Sequence, residues 1–113
     1  MWLYDLERMP VVERAVIASG DGLVIEAAGK RGPEPEFLAA EIATLARTMQ
    51  GIAGRMGEPL RRFVVTLDQH ELLVVCQGDI CVGALIRRGP ERKQVGLELL
   101  RLAEKVAKEL GGE

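Results

Sequence analysis

Histidine, aromatic residues and surplus charge are all scarce in this sequence. Its 113 residues include one histidine, one tryptophan, one tyrosine and two phenylalanines, and the formal net charge is −2. Nucleic-acid-binding proteins usually carry a basic patch, commonly with aromatic residues between the cations. Because neither feature is present here, we expect no nucleic-acid partner.

Long hydrophobic runs are also missing. No apolar stretch approaches the roughly 18 residues that a membrane-spanning helix requires, so we expect no membrane insertion. Residues 1–8 lack the basic start and the long apolar core of a signal peptide, which predicts a cytoplasmic location. Arginine exceeds lysine and asparagine is absent, a composition that favours a heat-adapted bacterium or one with a GC-rich genome.

The sequence offers no recognisable set of catalytic groups. The single histidine, His70, falls in a predicted hairpin turn, where a solvated side chain is expected. The aspartates fall in the first helix or in turns, where aspartate commonly hydrogen-bonds to the local backbone; they are Asp5, Asp21, Asp68 and Asp79. No phosphate-binding loop, dinucleotide fingerprint or zinc-ligand spacing is present. We therefore predict a protein without cofactor or metal, which is not an enzyme and acts by contact.

What is present is an alternation of helical and strand patterns, which we interpret as a single domain over residues 1–113. A chain of this length buries about two-thirds of its unfolded surface without disulfides or metal. The Asp21-Gly22 pair is expected to supply the positive φ angles of a tight hairpin turn. The predicted elements are a short helix stopped by Pro10, strands over 11–18 and 23–27, a helix over 35–57, strands over 62–67, 71–77 and 80–87, and a terminal helix opened by Pro90 and closed by Gly111-Gly112.

The last two predicted strands are apolar at consecutive positions rather than at alternate ones. Strands of this kind are covered on both faces, so helices must lie on both sides of the sheet. We predict an α/β (α+β) fold in which a five-stranded antiparallel sheet lies between helices, in the order α-β-β-α-β-β-β-α.

The helix predicted over residues 35–57 carries two apolar stripes. One consists of large residues at spacings of four and three, namely Leu38, Ile42, Leu45, Met49, Ile52 and Met56. The other consists of small residues with one polar interruption, namely Ala39, Ala43, Ala46, Gln50 and Ala53. Together they cover about half of the circumference, more than the ~100° that packing on a core requires.

Two interpretations of these stripes remain open. In the first, the large residues pack on the protein's own sheet, and the small residues allow the same helix of a second copy to approach closely. In the second, the helix is simply well buried in a monomer. Under the first interpretation, we expect Ala43→Arg or Ala46→Arg to convert a dimer into a monomer.

Two cysteines flank the turn predicted at Gly78-Asp79. A two-residue turn would place Cys76 opposite Cys81 in a non-hydrogen-bonded pair, with Cα atoms about 4.5 Å apart. This distance is near the short end of the disulfide range. The pair is either a redox switch or two buried thiols that act as small hydrophobic residues. We predict that both are reduced.

Four arginines are candidates for contact with a partner. Arg47 and Arg55 lie on the polar face of the long helix, and Arg61 and Arg62 follow it. They would suit an acidic partner or a nucleotide phosphate, although a solvated helix face explains them equally well.

Residues 12–25, V-E-R-A-V-I-A-S-G-D-G-L-V-I, resemble the first hairpin of the Roadblock family, the dynein-light-chain and bacterial gliding-protein type. The family hallmark is the run V-E-x-A-x-x-x-S-x-D-G-L. The alanine-rich helix and the small-residue strand over 82–85 are also similar to the family pattern. One departure is Val11, where many members have a glycine.

The resemblance implies a profilin-like fold and a homodimer. In such dimers the long helices pair, and the strand over 62–67 joins its twin, which would add Phe63 and Val65 to an interface with Ala39, Ala43, Ala46, Gln50 and Ala53. The resemblance also implies a platform for Ras-like small GTPases, whose hydrolysis some bacterial members stimulate. Without catalytic residues, stimulation would come from holding the GTPase's own switch loops in place. The alternative function is that of a monomeric small-ligand sensor.

Overall fold

The computed structural model describes residues 1–111, and its elements follow the predicted order. They are α1 (Tyr4–Glu7), β1 (Val12–Ser19), β2 (Val24–Gly29), α2 (Pro35–Arg55), β3 (Arg62–Thr66), β4 (His70–Gln77), β5 (Ile80–Arg87) and α3 (Arg92–Gly111). The closing role predicted for Gly112 lies outside the described residues.

The five strands form one antiparallel sheet in the order β2-β1-β5-β4-β3. The two hairpins are therefore joined at the centre by β1 and β5, and the edges are β2 and β3. Helix α2 packs on one face, mainly on β1. On the other face α1 lies against β1 and β2, and α3 lies against β4 and β5. The predicted sheet between helices is confirmed.

The sheet separates two hydrophobic clusters, and strand β4 contributes to both. Leu73 and Val75 belong to the cluster beneath α1 and α3, whereas Leu72, Val74 and Cys76 belong to the cluster beneath α2. This explains why the strand is apolar at consecutive positions: each face of the sheet is covered by a helix.

The first hairpin turns through residues 20–23, a longer loop than the predicted pair. Gly22 has a φ of +88°, but Asp21 does not share the positive φ expected of it, since every positive φ in the described chain belongs to a glycine. Ser19 organises the loop: its hydroxyl oxygen accepts a hydrogen bond from the Leu23 amide at 3.1 Å. The hydroxyl also donates to the Asp21 carboxylate, which lowers the pKa of that group.

Helix ends differ from the predicted ones by one or two residues. Helix α2 ends at Arg55 rather than at residue 57, because Gly57 adopts a φ of +72° and the Glu58 amide bonds back to the Ala53 carbonyl at 3.1 Å. Helix α3 begins at Arg92, two residues after Pro90. Within residues 1–111, no helix combines the length and apolarity needed to cross a membrane.

Candidate functional site: the second half of helix α2 and the edge strand β3

The first half of α2 is buried on both of its apolar stripes. Ile42 of the large stripe is fully buried, and on the small stripe the exposed fractions of Ala39, Ala43 and Ala46 are 0%, 3% and 5%. The β1–β2 turn covers Ala43, since a Cβ added to Gly22 would lie 3.5 Å from the Ala43 Cβ, whereas Ala46 packs in the cluster on the sheet. In this half of the helix the large residues pack inward as expected, but the small residues are buried by the chain as well.

This burial has a simple physical cause. Helix α2 lies close to β1 and to the hairpin turn, and only small side chains fit between helix and turn at that distance. The place of Ala39, Ala43 and Ala46 in a dimer interface stays a prediction, but these residues have almost no side-chain surface left to present.

The second half of α2 is different, because its apolar stripe reaches beyond the sheet. Ile52 and Met56 are 67% and 69% exposed, and Leu45 and Met49 are half-buried. On the small stripe Gln50 is exposed and Ala53 half-buried. An exposed apolar stripe on a folded chain is a candidate surface for contact with a partner.

Strand β3 lies beside this half of the helix. It pairs with β4 alone, so its other backbone edge has no partner strand within residues 1–111. Phe63 and Val65 point to the α2 side, where they pack in the same cluster as Leu45 and Met49. We call Leu45, Met49, Ile52, Met56, Phe63 and Val65, together with the free edge of β3, the α2–β3 surface.

The four candidate arginines stand on different elements around this surface. The Arg47 guanidinium donates to the Gly20 carbonyl at 3.2 Å, so this side chain lies over the β1–β2 turn. Arg55 is exposed in the last turn of α2, and Arg61 and Arg62 are exposed at the start of β3. None of the four forms a salt bridge in the part of the chain that is described. The four arginines are therefore available for contact with an acidic partner, but they lie on different elements.

His70 is not the solvated turn residue expected from the sequence. It is the first residue of β4, and its Nε2 lies 3.0 Å from the Glu13 carboxylate, with Arg87 3.5 Å from the same group. The three residues come from β1, β4 and β5, which are adjacent in the sheet but distant in sequence. The spacing of these residues along the chain could not predict this contact.

A buried carboxylate was also missed. Glu71 is 6% exposed, and it accepts from the Thr66 hydroxyl at 2.9 Å and pairs with Arg92 at 3.0 Å. It therefore ties the end of β3 to the start of α3. The only signal in the sequence was a charged residue at the start of an apolar strand.

The large grooves found among residues 1–111 are open to solvent. The groove between β3 and α3 has a volume of about 740 Å³ and is lined by Arg62, Val64 and Leu97 among others. Among the described residues, no three His, Cys, Asp or Glu side chains come together as metal ligands.

Comparison with known proteins gives a family match that covers most of the chain. The profile of the Roadblock/LC7 domain matches residues 1–85. No curated protein matches the sequence.

Several solved structures share the fold. A Roadblock/LC7 domain from Streptomyces avermitilis is 28% identical, with 92% of this chain and 89% of that chain covered and a TM-score of 0.82. MglB from Myxococcus xanthus is 16% identical, with coverages of 99% and 90% and a TM-score of 0.82. The gliding protein MglB from Thermus thermophilus is 18% identical, with coverages of 89% and 85% and a TM-score of 0.70. At such low identity the two MglB structures support the fold alone.

Proposed function

From the premise that this chain belongs to the Roadblock/LC7 domain family, we propose that it is a homodimeric, non-catalytic regulator or scaffold. Its partner is a Ras-like small GTPase of the bacterial cytoplasm. The single observation that carries the dimer is the α2–β3 surface, which places an exposed apolar helix half beside an unpaired strand edge.

A second copy of the chain covers both the apolar side chains and the free strand edge of this surface. Two β3 strands pair across a two-fold axis, which joins the two sheets and removes an edge that would otherwise invite aggregation. The second half of each α2 then covers apolar residues that a single chain leaves exposed. Ile52 and Met56, and not the buried alanines, form this contact. A specific interface of this kind buries at least about 1,200 Å² in total.

The GTPase is proposed from the family resemblance of the first hairpin, and the charges around the surface support it. Arg47, Arg55, Arg61 and Arg62 are exposed and have no acidic partner among residues 1–111. The chain contributes contact rather than chemistry, so any effect on GTP hydrolysis comes from holding the switch loops of the GTPase.

A small-ligand sensor receives less support from the same residues. A ligand pocket is usually concave and lined by a few convergent polar groups. The buried charged residue found here, Glu71, already has two partners, and the large grooves lie open at the surface. No specific observation favours this alternative.

The dimer is tested by light scattering coupled to size-exclusion chromatography at micromolar concentration. We expect a mass of two chains for the wild type. A mass of one chain would refute the dimer.

The partner is tested by pull-down from a lysate of the source bacterium, with a non-hydrolysable GTP analogue or with GDP. Enrichment of a small GTPase with the analogue would support a regulator, and equal capture in both nucleotides would support a scaffold. Absence of any GTPase would refute this part of the proposal and leave the dimer untouched. The control bait is the Ile52→Asp variant, which we expect to be monomeric.

A further inference from the structure

We propose that Cys76 and Cys81 form a peroxide-sensitive dithiol that oxidises to a disulfide across strands β4 and β5. The two residues are direct partners in the β4–β5 register. Their sulfur atoms lie 2.8 Å apart, and both are free thiols.

The backbone shows which kind of pair they form. The Cys76 amide donates to the Arg61 carbonyl at 2.8 Å, on the β3 side, and so points away from β5. Cys76 and Cys81 therefore occupy a non-hydrogen-bonded position of the β4–β5 ladder, where Cα atoms are about 4.5 Å apart and side chains approach most closely. This spacing falls within the range of known disulfides, so the bond forms without a shift of either strand.

The surroundings assign different roles to the two sulfurs. When Cys76 is a thiolate, the Cys81 thiol can donate only to it, and this hydrogen bond lowers the pKa of Cys76. The same hydrogen bond, together with burial and the negative charges of Cys76 and Asp79, raises the pKa of Cys81. Because the thiolate is the reactive form, Cys76 is the attacking group and Cys81 the resolving one.

The reaction has two steps. The Cys76 thiolate attacks one oxygen of hydrogen peroxide, the O–O bond breaks, and Cys76 becomes a sulfenic acid while the other oxygen leaves as water after taking up a proton. The Cys81 sulfur then attacks the Cys76 sulfur, the S–O bond breaks, and a second water leaves with the thiol proton. Peroxide is the oxidant, and the two thiols lose two electrons together.

Access limits the oxidant to a small molecule. Cys76 and Cys81 are 5% and 7% exposed, but they form the second residue pair from the β4–β5 turn, whose Gly78 and Asp79 are exposed. Hydrogen peroxide is small enough to enter beside the turn, whereas a protein thiol or a bulky reagent is not.

The test is an intact-mass measurement on the reduced full chain after treatment with hydrogen peroxide. We expect the mass to fall by about 2 Da, both thiols to become unreactive to alkylation after unfolding, and a reductant to restore them. A linked pair of chains would overturn the proposal, as would a mass gain of about 16 or 32 Da with no loss of 2 Da. The proposal would also be overturned if hydrogen peroxide left the folded chain unchanged but oxidised the urea-unfolded chain.

The order of attack is tested with two matched variants, and circular dichroism verifies their folding. Cys81→Ser keeps the attacking thiol, so a dimedone probe should label the sulfenic acid at Cys76. We expect less label on Cys76→Ser, because burial and the charge of Asp79 still raise the pKa of its remaining thiol. Stronger label on Cys76→Ser would overturn the assignment of Cys76 as the attacking group. The mass measurement on the wild type does not depend on either variant.

Discussion

The two halves of α2 have the same apolar pattern and opposite surroundings. In the first half Leu38 and Ile42 are buried by the chain itself, whereas in the second half Ile52 and Met56 are mostly exposed, at 67% and 69%. The spacing of the apolar residues does not change between the halves. The spacing of apolar residues therefore does not show whether a stripe is covered by the chain's own sheet or left exposed.

The contrast arises from where the helix crosses the sheet. Helix α2 packs mainly on β1, with β2 and β5 on either side. At the crossing a Cβ added to Gly83 of β5 would lie 2.6 Å from the Ile42 Cδ1, so the helix packs directly on this strand. Later in the helix Ala53, which shares the face of Ile42, is half-buried, and Met56 is 69% exposed. The first half is core, and the second half is surface.

The largest expected effect comes from Ala43→Arg. Because Ala43 is 3% exposed and packs beneath the β1–β2 turn, the arginine would overpack the site and bury a charge. We expect the free energy of unfolding to fall by more than about 4 kcal/mol, measured by urea denaturation with circular dichroism. The sequence alone predicted a folded monomer for this variant.

The matched control is Ala53→Arg, on the same stripe in the second half. Ala53 is half-buried, so an arginine there can extend its charge into water. At concentrations where the chain is monomeric, we expect a change below about 0.5 kcal/mol. Equal losses in both variants would show that the two halves do not differ.

A smaller effect is expected when the same residue type is truncated in each half. Ile42→Ala removes a fully buried side chain and should lower the free energy of unfolding by about 2–5 kcal/mol. Ile52→Ala should cost less than about 0.5 kcal/mol in the monomer, because its side chain is already in water. Urea titrations at low protein concentration measure both, and a similar cost for Ile52 would contradict the comparison.

The next prediction concerns association rather than folding. Ile52→Asp places a charge on the α2–β3 surface and should weaken the proposed dimer at least tenfold, or about 1.4 kcal/mol. Phe37→Asp is the control, since Phe37 is also exposed, at 59%, but lies in the first half of α2. Light scattering over a dilution series gives both dissociation constants. Dissociation by Phe37→Asp and not by Ile52→Asp would show that the interface lies on the first half of α2, which would contradict the proposal.

The order of elements could be predicted because its signals are local. Period-2 and period-3.6 patterns, breaker residues and turn glycines all act within a few residues of one another. The Cys76–Cys81 pairing was predictable for the same reason, since a short turn fixes the register of the strands that it joins. The start of β4 at His70 and the longer first turn were missed because contacts across the sheet decide them.

The burial of the candidate site residues was predicted only in part. Interface positions at Ala39, Ala43 and Ala46 stay predictions, but the chain itself buries all three residues. Which side of a helix faces which neighbour depends on its distance from the sheet and its crossing point. Both are tertiary properties, with no counterpart in the spacing of residues along α2.

The smallest expected effect distinguishes the second half of α2 from the strand beside it. That half of the helix extends past the sheet, whereas the end of β3 is tied to α3 through Thr66, Glu71 and Arg92. Arg92→Gln removes the cation, but Thr66 still donates to the carboxylate and Arg92 is itself 52% exposed. We therefore expect a loss of only about 1 kcal/mol in urea unfolding. Arg101→Gln, which breaks two ion pairs of a half-exposed arginine, with Asp5 and with Glu98, should cost less than about 0.5 kcal/mol. If Arg92→Gln costs no more than Arg101→Gln, β3 is held by its pairing with β4 alone, and it is then as free to meet a second copy as the helix half beside it.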